Sequence, residues 1–315
     1  MALKDFLKGL DEEVSSVLSS DFEIQIIDTN YVPSFNDPNI TFDNLDSKKK
    51  KCKRLESCVL YVDIRNSVQI SAERRPKTLA KIYSTFVRTM IACARYYGGH
   101  VRNIIGDRVM VVFDKEKCFT KAVDTAVLMN SVCKHILNNR ITSFDFSAGV
   151  GIDYGQMLIT KSGAIRKGEE KEFYRSLVWL GKPANIASRL TDIANKKVFV
   201  NKSVVHEGLY YKYIDQWSWS VVSSEKFLSK LEKTFSRYLK HPDEHFSSFF
   251  MSEKDYEVDY QPILMTNAVY KGYKAENPES EIVKNNWFRK QSLHVKDYDG
   301  DVYGGSVIKT AVEEI

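Results

Sequence analysis

"VRNIIGDRVMVVF", Val101–Phe113, reads as two apolar strand segments separated by Gly106-Asp107. A Gly-Asp pair between such runs is hairpin punctuation, so the stretch predicts a β-hairpin with a carboxylate at its tip. Upstream, "CVLYV", Cys58–Val62, is a short apolar strand that stops at Asp63. Between the two lies a predicted helix: Pro76 fits its first turn, and Leu79, Ile82, Phe86, Met90 and Ala94 recur at helical spacing. Gly98-Gly99 stops it. The two aspartates are 44 residues apart (107 − 63), room for one crossover helix and a returning strand. Singly, each is an ordinary cap or turn residue. On two adjacent strand ends they form the kind of oxygen pair that a hard divalent cation accepts.

Downstream, a second amphipathic helix covers 118–138, with Ala122, Ala126, Met129, Cys133 and Ile136 on one side. "FDFSAGVGID" alternates as a strand, and "FYRSLVWLG" reads as another that ends at Gly181. "KPANIASRLTDIA" is a helix with Pro183 in its first turn, and "KKVFVN" a strand. The order from 57 to 200 is β-α-β-β-α-β-β-α-β. Helices set between hairpins predict an α+β, ferredoxin-like sandwich with a mostly antiparallel sheet. Residues 1–56 read as a lead-in that packs on this core: an amphipathic helix at 3–19, the strand "FEIQIID", and a polar loop with Pro33 and Pro38. "KKKKCKR", Lys48–Arg54, reads as a solvated charge run. Residues 57–315 read as one domain, with an elaboration over about 201–290 that includes a helix at 225–239. A terminal hairpin turns at Asp299-Gly300. No Gly/Ser/Pro-rich linker divides them.

Of 315 residues, 43% are hydrophobic and 28% charged, which supports a sizeable core. The net charge of +5 is compatible with an anionic substrate. No apolar run reaches the length of a membrane span, and acidic residues interrupt the N-terminus where a signal peptide needs an apolar core. Five scattered cysteines without a CxxC pair argue for reduced thiols in a cytoplasmic protein, and against zinc.

In "GKPANIASRL", Gly181–Leu190, Asn185 and Arg189 stand one turn apart on one helical face. Seen alone, this is a solvated polar stripe. Facing an anion, an amide and a guanidinium so placed can both donate to one phosphoryl group. The turn after Asp63, Arg65-Asn66-Ser67, offers further groups to phosphate oxygens.

"VLYVDIRNS", "IIGDRVMVVF" and "GKPANIASRL", in this order, resemble the catalytic domain of the class III nucleotidyl cyclases, the adenylate and guanylate cyclase family. The resemblance spans roughly residues 57–200. It implies a head-to-tail homodimer with active sites at the interface. Asp63, Ile64 and Asp107 of one chain would hold two divalent cations, Mn²⁺ or Mg²⁺. Asn185 and Arg189 of the other would orient the ribose and stabilise the transition state. Arg65, Asn66 and Ser67 would line the substrate, and Lys296 in "HVKDYDG" would meet the terminal phosphates. Purine cyclases of the family read the base at two positions that fall here on Asn103 and Val178, and neither residue matches the adenine or the guanine pair. The surrounding sequence is similar to the bacterial Pycsar pyrimidine cyclases of anti-phage defence. That similarity implies a cyclic UMP product that acts on a separately encoded effector. Cyclic CMP, an adenylate cyclase with divergent base contacts, and a catalytically inactive nucleotide-binding module stay open as alternatives.

Overall fold

The computed structural model describes residues 2–142, 144–161, 164–165, 177–235 and 238–312. The chain divides into two compact units, Met1–Lys196 with Tyr260–Ile315, and Lys197–Asp259.

The first unit is built on an eleven-stranded sheet. It contains α1 (Leu3–Leu18), β1 (Glu23–Thr29), β2 (Lys49–Ile64), α2 (Pro76–Tyr96), β3 (His100–Ile105), β4 (Arg108–Val112) and α3 (Cys118–Ser131). β5 (Ala148–Lys161), β6 (Leu177–Leu180) and α4 (Lys182–Ile193) follow, and after the second unit β10 (Ile263–Thr266), β11 (Arg289–Gln291) and β12 (Val302–Gly305). From residue 58 onward β2 is buried on both faces, and its alternation sorts the core. Cys58, Leu60, Val62 and Ile64 pack with Phe86 and Met90 of α2 and with Ala122 and Ala126 of α3. Leu55 and Val59 pack the other way, with Met110, Met157, Ala184 and Ala187. Asp63 has the parity of the second set, so it emerges on the face covered by α4. That helix lies very close to β5: a Cβ on Gly151 would come within 2.3 Å of the Ala187 carbonyl oxygen.

β2 runs antiparallel to both β5 and β4, and β4 hairpins onto β3. The turn at Gly106 has φ +62°, a left-handed conformation that glycine adopts without Cβ strain. β1 joins β2 in parallel and β10 joins β5 in parallel; β11 and β12 form the terminal antiparallel pair.

Three sequence expectations change here. Lys48–Arg54 is not a solvated loop: from Lys49 it is the first half of β2. Carboxylates from the lead-in neutralise it, with Lys50–Asp43 at 2.8 Å, Lys53–Asp37 at 2.5 Å and Arg54–Asp28 at 2.6 Å. The helix at 118–138 holds its span, but Val132–Leu137 widens into a π turn. The helix expected at 225–239 shrinks to Ser224–Lys230. There Lys230 donates to the buried Glu207 at 2.8 and 2.7 Å, and Glu232–Lys233 pairs as a strand with Leu239–Lys240.

The second unit is a three-stranded antiparallel ribbon, β7 (Lys197–Tyr211) between β8 (Gln216–Ser223) and β9 (Phe246–Asp259). Where the sequence drew an elaboration over 201–290, the compact unit is Lys197–Asp259, and the chain from Tyr260 rejoins the first sheet. All five cysteines are free and buried. Among the described residues, no helix is long and apolar enough to cross a membrane.

Candidate active site

The register that sets Val62 opposite Val109 brings the end of β2 to the tip of the β3–β4 hairpin. Asp63 and Asp107 meet there. Burial first, and then the neighbouring Asp63 carboxylate, push the Asp107 carboxyl up to about 6, while the Ser67 hydroxyl works in the opposite sense. Asp107 Oδ2 is buried and accepts no hydrogen bond. A buried carboxylate oxygen with no donor, facing a second carboxylate, fits a divalent cation. Magnesium in particular is held by one or two carboxylates, with water and substrate phosphate completing its shell. Among the described residues no group of three or more His, Cys, Asp and Glu forms a larger protein cage.

Two arginines balance Asp63. Arg108 donates from Nη2 to Asp63 Oδ2 at 2.8 Å and from Nη1 to Ser188 Oγ at 2.8 Å, and Nη2 also reaches Asp192. Arg65 is 6% exposed, with Nη2 3.6 Å from Asp63 Oδ2 and Nη1 3.4 Å from the Asp192 carbonyl. Burial holds the Arg65 guanidinium below its usual range. Arg108, Ser188 and Asp192 were not picked out in the sequence. Arg108 directly follows Asp107, and Ser188 and Asp192 lie on the helix of Asn185 and Arg189. Only the packing of α4 on the sheet, which brings it within reach of the Arg108 side chain, makes them neighbours.

α4 starts after Gly181, carries Pro183 in its first turn, and buries Ala184, Ile186, Ala187, Leu190 and Thr191 against the sheet. Asn185 is exposed and Arg189 half-buried on its outer side. Arg189 Nη1 donates to the Lys296 carbonyl and to Asp297. The Arg189 guanidinium in turn holds the Asp297 carboxyl below the usual range. Arg189 thus meets the Lys296 main chain on the side of α4 that carries Asn185, while Asp63 is tied to the last turn of that helix through Arg108.

The remaining positions scatter. Ile64 is buried in the core, Asn66 is exposed with φ +58°, and Ser67 opens a seven-residue helix. Asn103 is exposed on β3, just past an irregularity in its pairing with β4. Val178 is half-buried on β6, opposite Thr160. β4, β2 and β5 lie between the strands of Asn103 and Val178.

Residues 50–216, more than half of the chain, match the adenylate and guanylate cyclase catalytic domain. The chain belongs to the class III nucleotidyl cyclases. This cyclase is 29% identical over 227 residues to a uridylate cyclase of Burkholderia cepacia, covering 69% of this chain and 91% of that one. It is 30% identical over 159 residues to a uridylate cyclase of Xanthomonas perforans, covering 48% and 64%. Its fold is also that of a bacterial light-regulated adenylyl cyclase, with a TM-score of 0.50 at 15% identity over 82% of this chain and 53% of that one.

Proposed function

We propose that this cyclase converts UTP to 3′,5′-cyclic UMP and pyrophosphate, at two sites shared across a head-to-tail homodimer. The observation that carries the reading is the facing pair Asp63 and Asp107, with a buried Asp107 oxygen that accepts no hydrogen bond. In this reading Asp63, Asp107 and the main chain at Ile64 hold two divalent ions, Mn²⁺ or Mg²⁺. Those ions supply activation of the 3′-hydroxyl and neutralisation of phosphate charge. Arg65 and Arg108 orient the Asp63 carboxylate and balance its charge. Arg65, Asn66 and Ser67 border the phosphates. From the other subunit, Asn185 orients the ribose, Arg189 stabilises charge on the phosphoryl oxygens, and Lys296 meets the terminal phosphates. Positioning and electrostatics are most of what phosphoryl transfer requires.

Uracil is favoured over the purines by three observations. The relatives in Burkholderia and Xanthomonas are named uridylate cyclases. Val178 has no side-chain hydrogen bond to offer, and Asn103 stands where adenylate cyclases of the family place a lysine; adenine would lose both of its readers there. The resemblance to Pycsar cyclases extends the proposal to a messenger that acts on a separate effector in anti-phage defence.

The test is incubation of the full chain with Mn²⁺ and each of ATP, GTP, CTP and UTP, with products identified by mass. Cyclic UMP is expected. Cyclic AMP as the main product removes the pyrimidine reading, cyclic CMP moves it to cytosine, and no cyclic product at all points to a nucleotide-binding module.

A further inference from the structure

α1 is an amphipathic helix that buries none of its 16 residues. Its apolar side lies open: Leu3 is 72% exposed, Leu7 54%, Leu10 40% and Val14 55%. With Val17 these recur at spacings of four, three, four and three, the alternation of a heptad seam. Phe6 and Leu18, also exposed, widen it. Beside the seam, Leu3, Lys4, Leu7, Lys8 and Asp11 line an open groove of about 610 Å³.

We propose that this seam pairs with α1 of a second copy of this chain, the two helices running antiparallel. The charges set the direction. Lys4, Asp5 and Lys8 leave the first half of α1 at +1 (2 − 1), and Asp11, Glu12 and Glu13 put the second at −3. In an antiparallel pair, Leu3 packs on the partner subunit's Val14 and Leu7 on the partner subunit's Leu10. The same register sets Lys4 beside the partner subunit's Asp11, twice by symmetry. A parallel pair gives the flanking positions no opposite charges, because Phe6 would face Asp11 and Glu13 would face Leu18. The contact is isologous, so it closes on itself and uses every seam residue from Leu3 to Val14 once per helix. A lipid surface suits α1 less well. Lys4 and Lys8 against Asp5, Asp11, Glu12 and Glu13 leave the helix at −2 (2 − 4), which anionic headgroups repel.

Cysteine pairing in the full chain reads the register directly, since the native cysteines are all buried. Leu3→Cys with Val14→Cys in one chain is expected to give a covalent dimer on mild oxidation, while either substitution alone gives none. The two positions are about 16 Å apart along one helix, too far for a disulfide within the chain. Adding Lys4→Glu should slow cross-linking several-fold, and adding Asp11→Lys to that should restore it. Cross-linking of Leu3→Cys alone overturns the antiparallel arrangement. No cross-linking in any variant, or flotation of the protein with phosphatidylcholine–phosphatidylglycerol vesicles, overturns the pairing itself. A Lys4→Glu rate equal to that of the parent overturns the charge register. None of these outcomes depends on which nucleotide the enzyme uses.

Discussion

Asp153 gives the sharpest quantitative prediction. It sits on β5, 6% exposed, and accepts a hydrogen bond from Thr266 at 2.6 Å. Burial pushes its carboxyl from 3.8 to about 6, against the stabilising hydrogen bonds of Thr266 and the Tyr154 main chain. In the unfolded chain this carboxyl releases its proton near its ordinary value; in the fold it holds it longer. Between those two pH values the folded state binds more protons, so stability falls as pH rises through the window and levels off above about 6. The span of roughly 2 units corresponds to about 3 kcal/mol lost by neutral pH. Asp153→Asn keeps an acceptor for Thr266 and has no charge to bury. The variant should therefore match the parent near pH 4 and exceed it by about 1–3 kcal/mol at pH 7, once the weaker neutral hydrogen bond is allowed for. Urea denaturation of both proteins from pH 4 to 8 measures the difference, in which every other titrating group cancels. A difference that is flat across that range, or a variant less stable than the parent at pH 8, would refute the account.

Asp63→Ala or Asp107→Ala should abolish cyclisation in a folded protein. Mixing Asp107→Ala with Arg189→Ala subunits should restore about a quarter of the parent's sites, since half of random dimers are mixed and each holds one intact site; no recovery after proven subunit exchange counts against shared sites. Arg108→Ala removes the bonds to Asp63, Ser188 and Asp192, and should cost about 1–3 kcal/mol in EDTA, less with Mn²⁺ present to neutralise Asp63. Equal losses of thermal stability under both conditions would assign Arg108 a purely structural part. Asp297→Asn should release Arg189 from an internal anion and lower KM for the nucleotide. A higher KM in steady-state kinetics would mean that Asp297 instead holds Arg189 in its working position.

The order of elements from 57 to 200, the Gly106-Asp107 turn and the α4 helix were legible in the sequence because each rests on local signals: period, turn chemistry and a first-turn proline. Asp63 and Asp107 were legible as a pair because apolar strands end on them. Local signals misled where charge was neutralised from afar. Lys49–Arg54 looks like a loop until the carboxylates of Asp28, Asp37 and Asp43 are seen beside it. The sequence by itself determined which strand ends carry carboxylates and which helix face carries an amide and a guanidinium, since side-chain chemistry and its spacing along one element are local properties. Only the tertiary structure decided what surrounds them: Arg108 bridging Asp63 to α4, Asp297 holding Arg189, and Asp107 left with a buried oxygen that accepts no hydrogen bond. Those contacts join residues some 45 to 108 positions apart, and only sheet register and helix packing set such distances.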